Sequence, residues 1–165
     1  MPMVVEPLES NAFSAFGDVI DVGLGSLISI NDGTTLRHDN LANIDVAEGG
    51  GRPVVSIFES KPFGFPLELK MLERHPLSSQ AFIPLDGHPY FVVVAPPGES
   101  VDPAEVRIFF AEGTQGVNFR RALWHHPAIV TQAMRFLVID RGVDEPNCDL
   151  LDLPQDRHPL ILDRL

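Results

Sequence analysis

Short apolar runs alternate with turn residues along most of this chain. Runs rich in Val, Ile and Phe at residues 18–22, 53–59, 80–85, 90–95, 106–111 and 134–140 have the length and composition of strands. Turn-forming Asn31-Asp32-Gly33, Gly49-Gly50-Gly51 and Pro96-Pro97-Gly98 lie between them. Fifteen Pro and 13 Gly leave little room for long helices, because Pro breaks a helix interior and Gly weakens one. The pattern predicts an all-β fold, a sandwich or barrel-like jelly roll with a few short helices. One helix is expected over residues 10–16, capped by Ser10 or Asn11, with Phe13 and Phe16 on one face. Another is expected over residues 102–105, where Asp102 caps, Pro103 opens the first turn and Glu105 takes the third helical position. No repeat and no dividing linker occurs, so residues 1–165 read as a single domain. The Pro- and charge-rich stretch from Pro154 onward is expected to pack loosely.

Composition narrows the class. Of 165 residues, 44% are apolar, too many for a disordered chain. No apolar run approaches the ~20 residues of a spanning helix, and the N-terminus lacks a signal-peptide pattern. A single cysteine, Cys148, forms no internal disulfide. With acidic neighbours Asp144, Glu145 and Asp149 it is a poor nucleophile. Twelve basic residues stand against 23 acidic ones, a net charge of -11, which argues against nucleic acid as partner. A small anionic ligand stays open, because ten Arg outnumber two Lys and Arg holds carboxylates through bidentate contacts. These features point to a cytoplasmic enzyme or binding domain without a membrane partner.

Two clusters carry candidate chemistry. In LERHPLSSQAFIPLDG, residues 72–87, Glu73 and His75 are two apart and face the same way in a strand. Gln80, Phe82 and Pro84 share a face of the next strand. A tight hairpin at residues 76–79 would bring His75 beside Gln80 in a common interior. Alternatively, His75 is a strand-end histidine bonded to backbone. In GVNFRRALWHHP, residues 116–127, Asn118, Arg120, Arg121, Trp124, His125 and His126 crowd together. Adjacent histidines on a strand point to opposite faces, so one of them lines a given pocket, and the flanking residues do not decide which. The alternative there is a solvated basic edge with one packed Trp. No dinucleotide loop, P-loop, nucleophile elbow or paired-cysteine zinc motif occurs.

These residues resemble a known family. The first cluster fits the cupin motif H-x-H-x4-E-x6-G in spacing, with Glu73, His75, Gln80 and Gly87 at its positions. Leu123-Trp124-His125 matches the part of the second cupin motif that ends in its metal-binding His. Over a longer span, FSAFGDVI, INDGTTLRHDNLA, ERHPLSSQAFIPL, YFVVVA, GVNFRRALWHHP and IDRG followed by NCD are similar to the ureidoglycolate lyase family, in order from Phe13 to Asp149. The resemblance implies a cupin-type jelly-roll β-barrel, a homodimer, and conversion of (S)-ureidoglycolate to glyoxylate and urea in allantoin breakdown. The matched Glu73, His75 and His125, with the Gln80 oxygen, imply either a divalent ion such as Ni or no ion at all.

The implied reaction needs a base for the hydroxyl proton and an acid for the departing urea nitrogen. His75 and His125 are the expected acid/base pair, or ligands of a metal that acidifies the hydroxyl. Arg120 or Arg121 is expected to hold the carboxylate, with Arg37 as a further candidate and Arg74 turned away. Gln80 and Asn118 suit the urea group, and Phe82 and Trp124 would wall the pocket. Two other classes compete with the lyase: a non-catalytic cupin binding a small organic acid as sensor or structural module, and a cupin isomerase or dioxygenase.

Overall fold

The computed structural model describes residues 3–144 and 146–161. Nearly all regular structure is strand, arranged in two principal sheets. One sheet has five antiparallel strands in the order Gly17–Ile20, Gly116–Phe119, Gln80–Pro84, Met134–Gly142 and Arg52–Ser60. The other runs Val5–Pro7, Arg107–Ala111, Tyr90–Ala95, Trp124–His125, Met71–Arg74 and Asp149–Asp152, with Ile129–Val130 also paired to Tyr90–Ala95. Its first pair, Val5–Pro7 with Arg107–Ala111, is parallel, and the rest are antiparallel. All six expected strands form, displaced by a residue or two at their ends. The architecture is all-β and consistent with a cupin-like jelly roll.

Tyr90–Ala95 explains why the run YFVVVA is apolar throughout. Tyr90, Val92 and Val94 enter a core between the sheets with Phe82, Phe109, Val117, Phe119, Phe136 and Val138. Phe91, Val93 and Ala95 face a second core with Leu69, Leu72, Ile108, Trp124, Ile129, Leu153 and Ile161. A strand covered on both faces loses the alternation that a half-exposed strand shows. Fully burying each Val or Phe contributes roughly 1.5–3 kcal/mol.

The C-terminal stretch therefore differs from the loose tail expected. Ile161 is buried in the second core, Leu160–Ile161 pairs with Leu67–Glu68, and the Leu69 amide donates to the Pro159 carbonyl at 2.9 Å. The first helix is a single turn, Ser10–Phe13, because strand Gly17–Ile20 begins soon after. Its N-cap is Glu9 rather than Ser10 or Asn11, with no side-chain cap. Phe13 and Phe16 do share the core, with rings 5.8 Å apart. The second helix is a 3-10 turn, Pro103–Glu105, and Asp102 Oδ1 accepts from the Ala104 amide at 3.0 Å as expected.

Two features were not legible. Ser26–Ile30 and Thr35–Asp39 form a separate hairpin around Asn31-Asp32-Gly33, whose φ angles of 53°, 55° and 83° suit Asn, Asp and Gly. Residues 76–79 are not a hairpin turn. Met71–Arg74 and Gln80–Pro84 belong to different sheets, so this loop crosses from one sheet to the other.

Candidate active site

Strand register builds the site. His125 lies directly opposite Glu73 in the antiparallel pair, so their side chains project from one face. His75, two residues beyond Glu73, projects the same way. In the other sheet Gln80 lies opposite Phe119. The crossing loop turns Gln80 toward His75, and Phe119 stacks on His125 with ring centroids 4.4 Å apart and 24° between planes. The site thus forms where the inner faces of the two sheets meet.

Three ligand atoms converge there. His125 Nε2 is 3.5 Å and His75 Nε2 is 4.0 Å from Glu73 Oε1, and the two imidazole centroids are 5.2 Å apart. Nδ1 of His75 meets the Asn147 carbonyl at 2.7 Å, and Nδ1 of His125 meets the Leu123 carbonyl at 3.0 Å. Each carbonyl accepts, so each Nδ1 carries a proton and each Nε2 is turned to Glu73. The backbone bond anticipated for His75 exists, and it orients the ring inward. Gln80 Nε2 donates to Asp140 Oδ2 at 3.2 Å, which aims Gln80 Oε1 at His75 Nε2, 3.1 Å away.

The donor set fits a divalent transition ion. The ligand atoms of Glu73, His75 and His125 all lie within 4.8 Å of one another. His125 Nε2 is buried and makes no hydrogen bond among the described residues. Imidazole and carboxylate are ordinary donors for such an ion.

Electrostatics separate the groups around this point. The His125 imidazole, at 3.5 Å and short of a full hydrogen bond, is the largest influence holding the Glu73 carboxyl below its ordinary range. Partial burial opposes it, and the charges of His125, His75 and His126 reinforce it. His126 points the other way, edge-on to Phe63 at 5.8 Å, and burial lowers its pKa. Cys148 Sγ is 3.9 Å from Glu73 Oε2. Burial, then Glu73 and Asp149, push its thiol upward, as expected of a poor nucleophile.

A cavity of about 330 Å³ opens beside Glu73, lined also by Phe58, Ser60, Lys61, Phe63, Phe82, Pro127 and Ala128. Phe82 therefore stands where a pocket wall was expected. Several other sequence candidates do not. Val117 and Phe119 point inward, so Asn118 and Arg120 emerge on the opposite face. Asn118 Nδ2 donates to Asp18 Oδ2 and to the Asn43 carbonyl. Arg120 and Arg121 line a separate cavity of about 410 Å³ with Asp18, Asn43, Asp45 and Ser79. Arg121 already grips Asp45 through Nε and Nη2, at 3.1 and 2.7 Å, and Glu48 through Nη1, at 2.9 Å. Trp124 packs in the second core, its Nε1 donating to the Gly98 carbonyl. Arg74 is turned away as expected, stacked 4.6 Å over Trp124 and bonded to Asp149. Arg37 pairs with Asp39 on the exposed hairpin.

Sequence reasoning gave no place to Asn147 and Asp140, which meet His75 and Gln80, or to Lys61, which lines the cavity. The first two stood in the matched NCD and IDRG stretches without an assigned role. Lys61 belongs to neither cluster, and its one signal was rarity, as one of two Lys in the chain.

Comparison with known proteins bears on this geometry. A family profile described as ureidoglycolate lyase matches residues 1–158. A ureidoglycolate lyase of Burkholderia mallei is 49% identical over 152 residues, covering 92% of this chain and 89% of the relative. One from Azotobacter vinelandii is 47% identical over 146 residues, 88% of each chain. One from Stutzerimonas stutzeri is 44% identical over 160 residues, 96% of this chain and 94% of the relative.

Proposed function

The chain belongs to the ureidoglycolate lyase family, and on that premise we infer that it is a lyase converting (S)-ureidoglycolate to glyoxylate and urea. The observation that carries the reading is the family match across residues 1–158. The substrate is a hemiaminal whose central carbon bears a hydroxyl, a ureido nitrogen and a carboxylate. Collapse moves the hydroxyl proton to a base. The C–O bond becomes a carbonyl, the C–N bond breaks, and the nitrogen takes a proton from an acid. No water is consumed.

His75 and His125 are the acid/base pair in this reading. Their Nδ1 atoms are tied to carbonyls, so both Nε2 atoms face Glu73, which lines the cavity. One accepts the hydroxyl proton and the other supplies the proton to urea nitrogen. Glu73, held ionised, stabilises whichever imidazole carries positive charge. Gln80, held by Asp140 and beside His75, meets the hydroxyl or urea group in this reading. Phe58, Phe63 and Phe82 form the apolar wall against which the substrate packs in this reading. Where a divalent ion such as Ni is bound, Glu73, His75 and His125 would hold it with Gln80 Oε1 beside them. Its chemistry there is to acidify the substrate hydroxyl.

The chain acts as one domain and as a homodimer in this reading. Exposed Val55 and Ile57 on the edge strand Arg52–Ser60, and Leu27, Ile28 and Leu36 on the hairpin, support self-association. The free, exposed Cys148 fits a reducing compartment, the cytoplasm. No described helix is long and apolar enough to cross a membrane. The test is incubation of the purified protein with (S)-ureidoglycolate. Equimolar glyoxylate and urea support the reading, and their absence overturns it.

A further inference from the structure

We propose that Lys61 is the residue that recognises the substrate carboxylate. This deepens the lyase reading and rests on it. A carboxylate entering the cavity beside Glu73 needs a cation, and among the described residues lining that cavity Lys61 is the one cation. The Arg residues favoured by the sequence are elsewhere. Arg121 is occupied by Asp45 and Glu48, and Arg120 opens on a different cavity.

The backbone holds Lys61 in place on both sides. Ser60 ends the edge strand in register with Met134, and the Phe63 amide donates to the Val130 carbonyl at 2.9 Å. Among the described residues no carboxylate forms an ion pair with Lys61, so its ammonium remains available. Ser60, next to it, supplies a hydroxyl in the same cavity.

Charge also sets the orientation of the ligand. Glu73 lines the same cavity beside the histidines and offers no cation to a carboxylate. Lys61 attracts one. An anionic hemiaminal therefore binds with its carboxylate toward Lys61 and its hydroxyl and ureido groups toward Glu73 and the histidines. That pose puts the protons to be moved next to the groups that move them. Phe58, Phe63 and Phe82 give the same cavity apolar walls. A lysine suits this task because a point charge on a flexible stem can follow a carboxylate as product forms.

The test is a steady-state and calorimetric comparison of wild type, Lys61→Gln and Lys61→Arg. Losing a charge-assisted contact should raise KM for ureidoglycolate by about tenfold or more, with a smaller change in kcat. Lys61→Arg should recover most of the loss. The inhibition constant of glyoxylate should rise in parallel in Lys61→Gln, while that of neutral urea stays put. Direct titration with glyoxylate reads the same contact without turnover. If the wild type fails to turn over ureidoglycolate, the lyase reading fails, and glyoxylate titration still judges Lys61. Unchanged glyoxylate affinity in a folded Lys61→Gln variant overturns the proposal.

Discussion

Phe119 and His125 lie face to face, their ring centroids 4.4 Å apart, although they come from different sheets. The stack, together with the Leu123 carbonyl on Nδ1, leaves the His125 imidazole little rotational freedom. A catalytic ring needs such restraint, because small displacements of an acid or base cost rate. Phe119→Leu keeps most of the buried volume and removes the stack. Thermal unfolding should show a loss of about 1.5 kcal/mol or less. Kinetics should show a clear fall in kcat with KM little changed. An unchanged kcat would mean that the carbonyl alone orients the ring.

His75→Ala or His125→Ala should lower turnover by at least ~10²-fold, the lower range for a positioned acid or base. Circular dichroism on each variant guards against misfolding. A folded variant with near-normal turnover removes that histidine from the chemistry.

The donor set predicts a metal affinity that does not depend on an activity assay. Ni(II) titrated calorimetrically into chelator-treated protein should bind one ion per chain. Glu73→Gln should weaken that binding strongly, since it removes the one charged donor of the set. Equal affinity in wild type and variant places the ion elsewhere.

Arg121→Ala should act on stability more than on catalysis. The Arg121 fork spans Asp45 and Glu48 at a partly exposed position, and such pairs contribute about 1 kcal/mol or less. The melting temperature should fall by a few degrees, with kcat/KM close to wild type. A large loss of kcat/KM without loss of stability would return Arg121 to the substrate site.

Asp86 gives a pH signature away from the site. Hydrogen bonds from the Arg135 side chain, then from its backbone amide, lower the Asp86 pKa from 3.8 to about 2. A depressed carboxyl stabilises the fold above its unfolded pKa and loses that contribution as pH falls through the folded value. Stability should therefore drop between about pH 4 and 2. Asp86→Asn should flatten the curve in that window, as followed by denaturant unfolding at a series of pH values.

Strand positions were legible because Val, Ile and Phe runs punctuated by Gly and Pro have few other uses. The meeting of His75 with Gln80 was also foreseen, but through a hairpin that does not exist. The loop joins two sheets, and sequence spacing cannot distinguish a turn back from a crossing. Alternation put His125 and His126 on opposite faces. It could not choose between them, because both faces of this region are covered. The ion pairs of Arg121 were not legible because Asp45 and Glu48, remote in sequence, fold over it. The place of Lys61 on the cavity wall was not legible because its neighbours along the chain carry no related chemistry.

The crossing at residues 76–79 ties the candidate site to the integrity of the whole fold. Glu73, His75 and His125 come from one sheet, while Gln80 and the Phe119 buttress come from the other. Neither sheet holds a working fragment of the site. Any excursion that parts them disperses these side chains before it exposes much backbone. Inactivation on heating should then run ahead of, or together with, the loss of circular dichroism, and never behind it. Amide exchange at Gln80 and His125 should report the same opening event, although the two residues sit on strands that do not pair with each other.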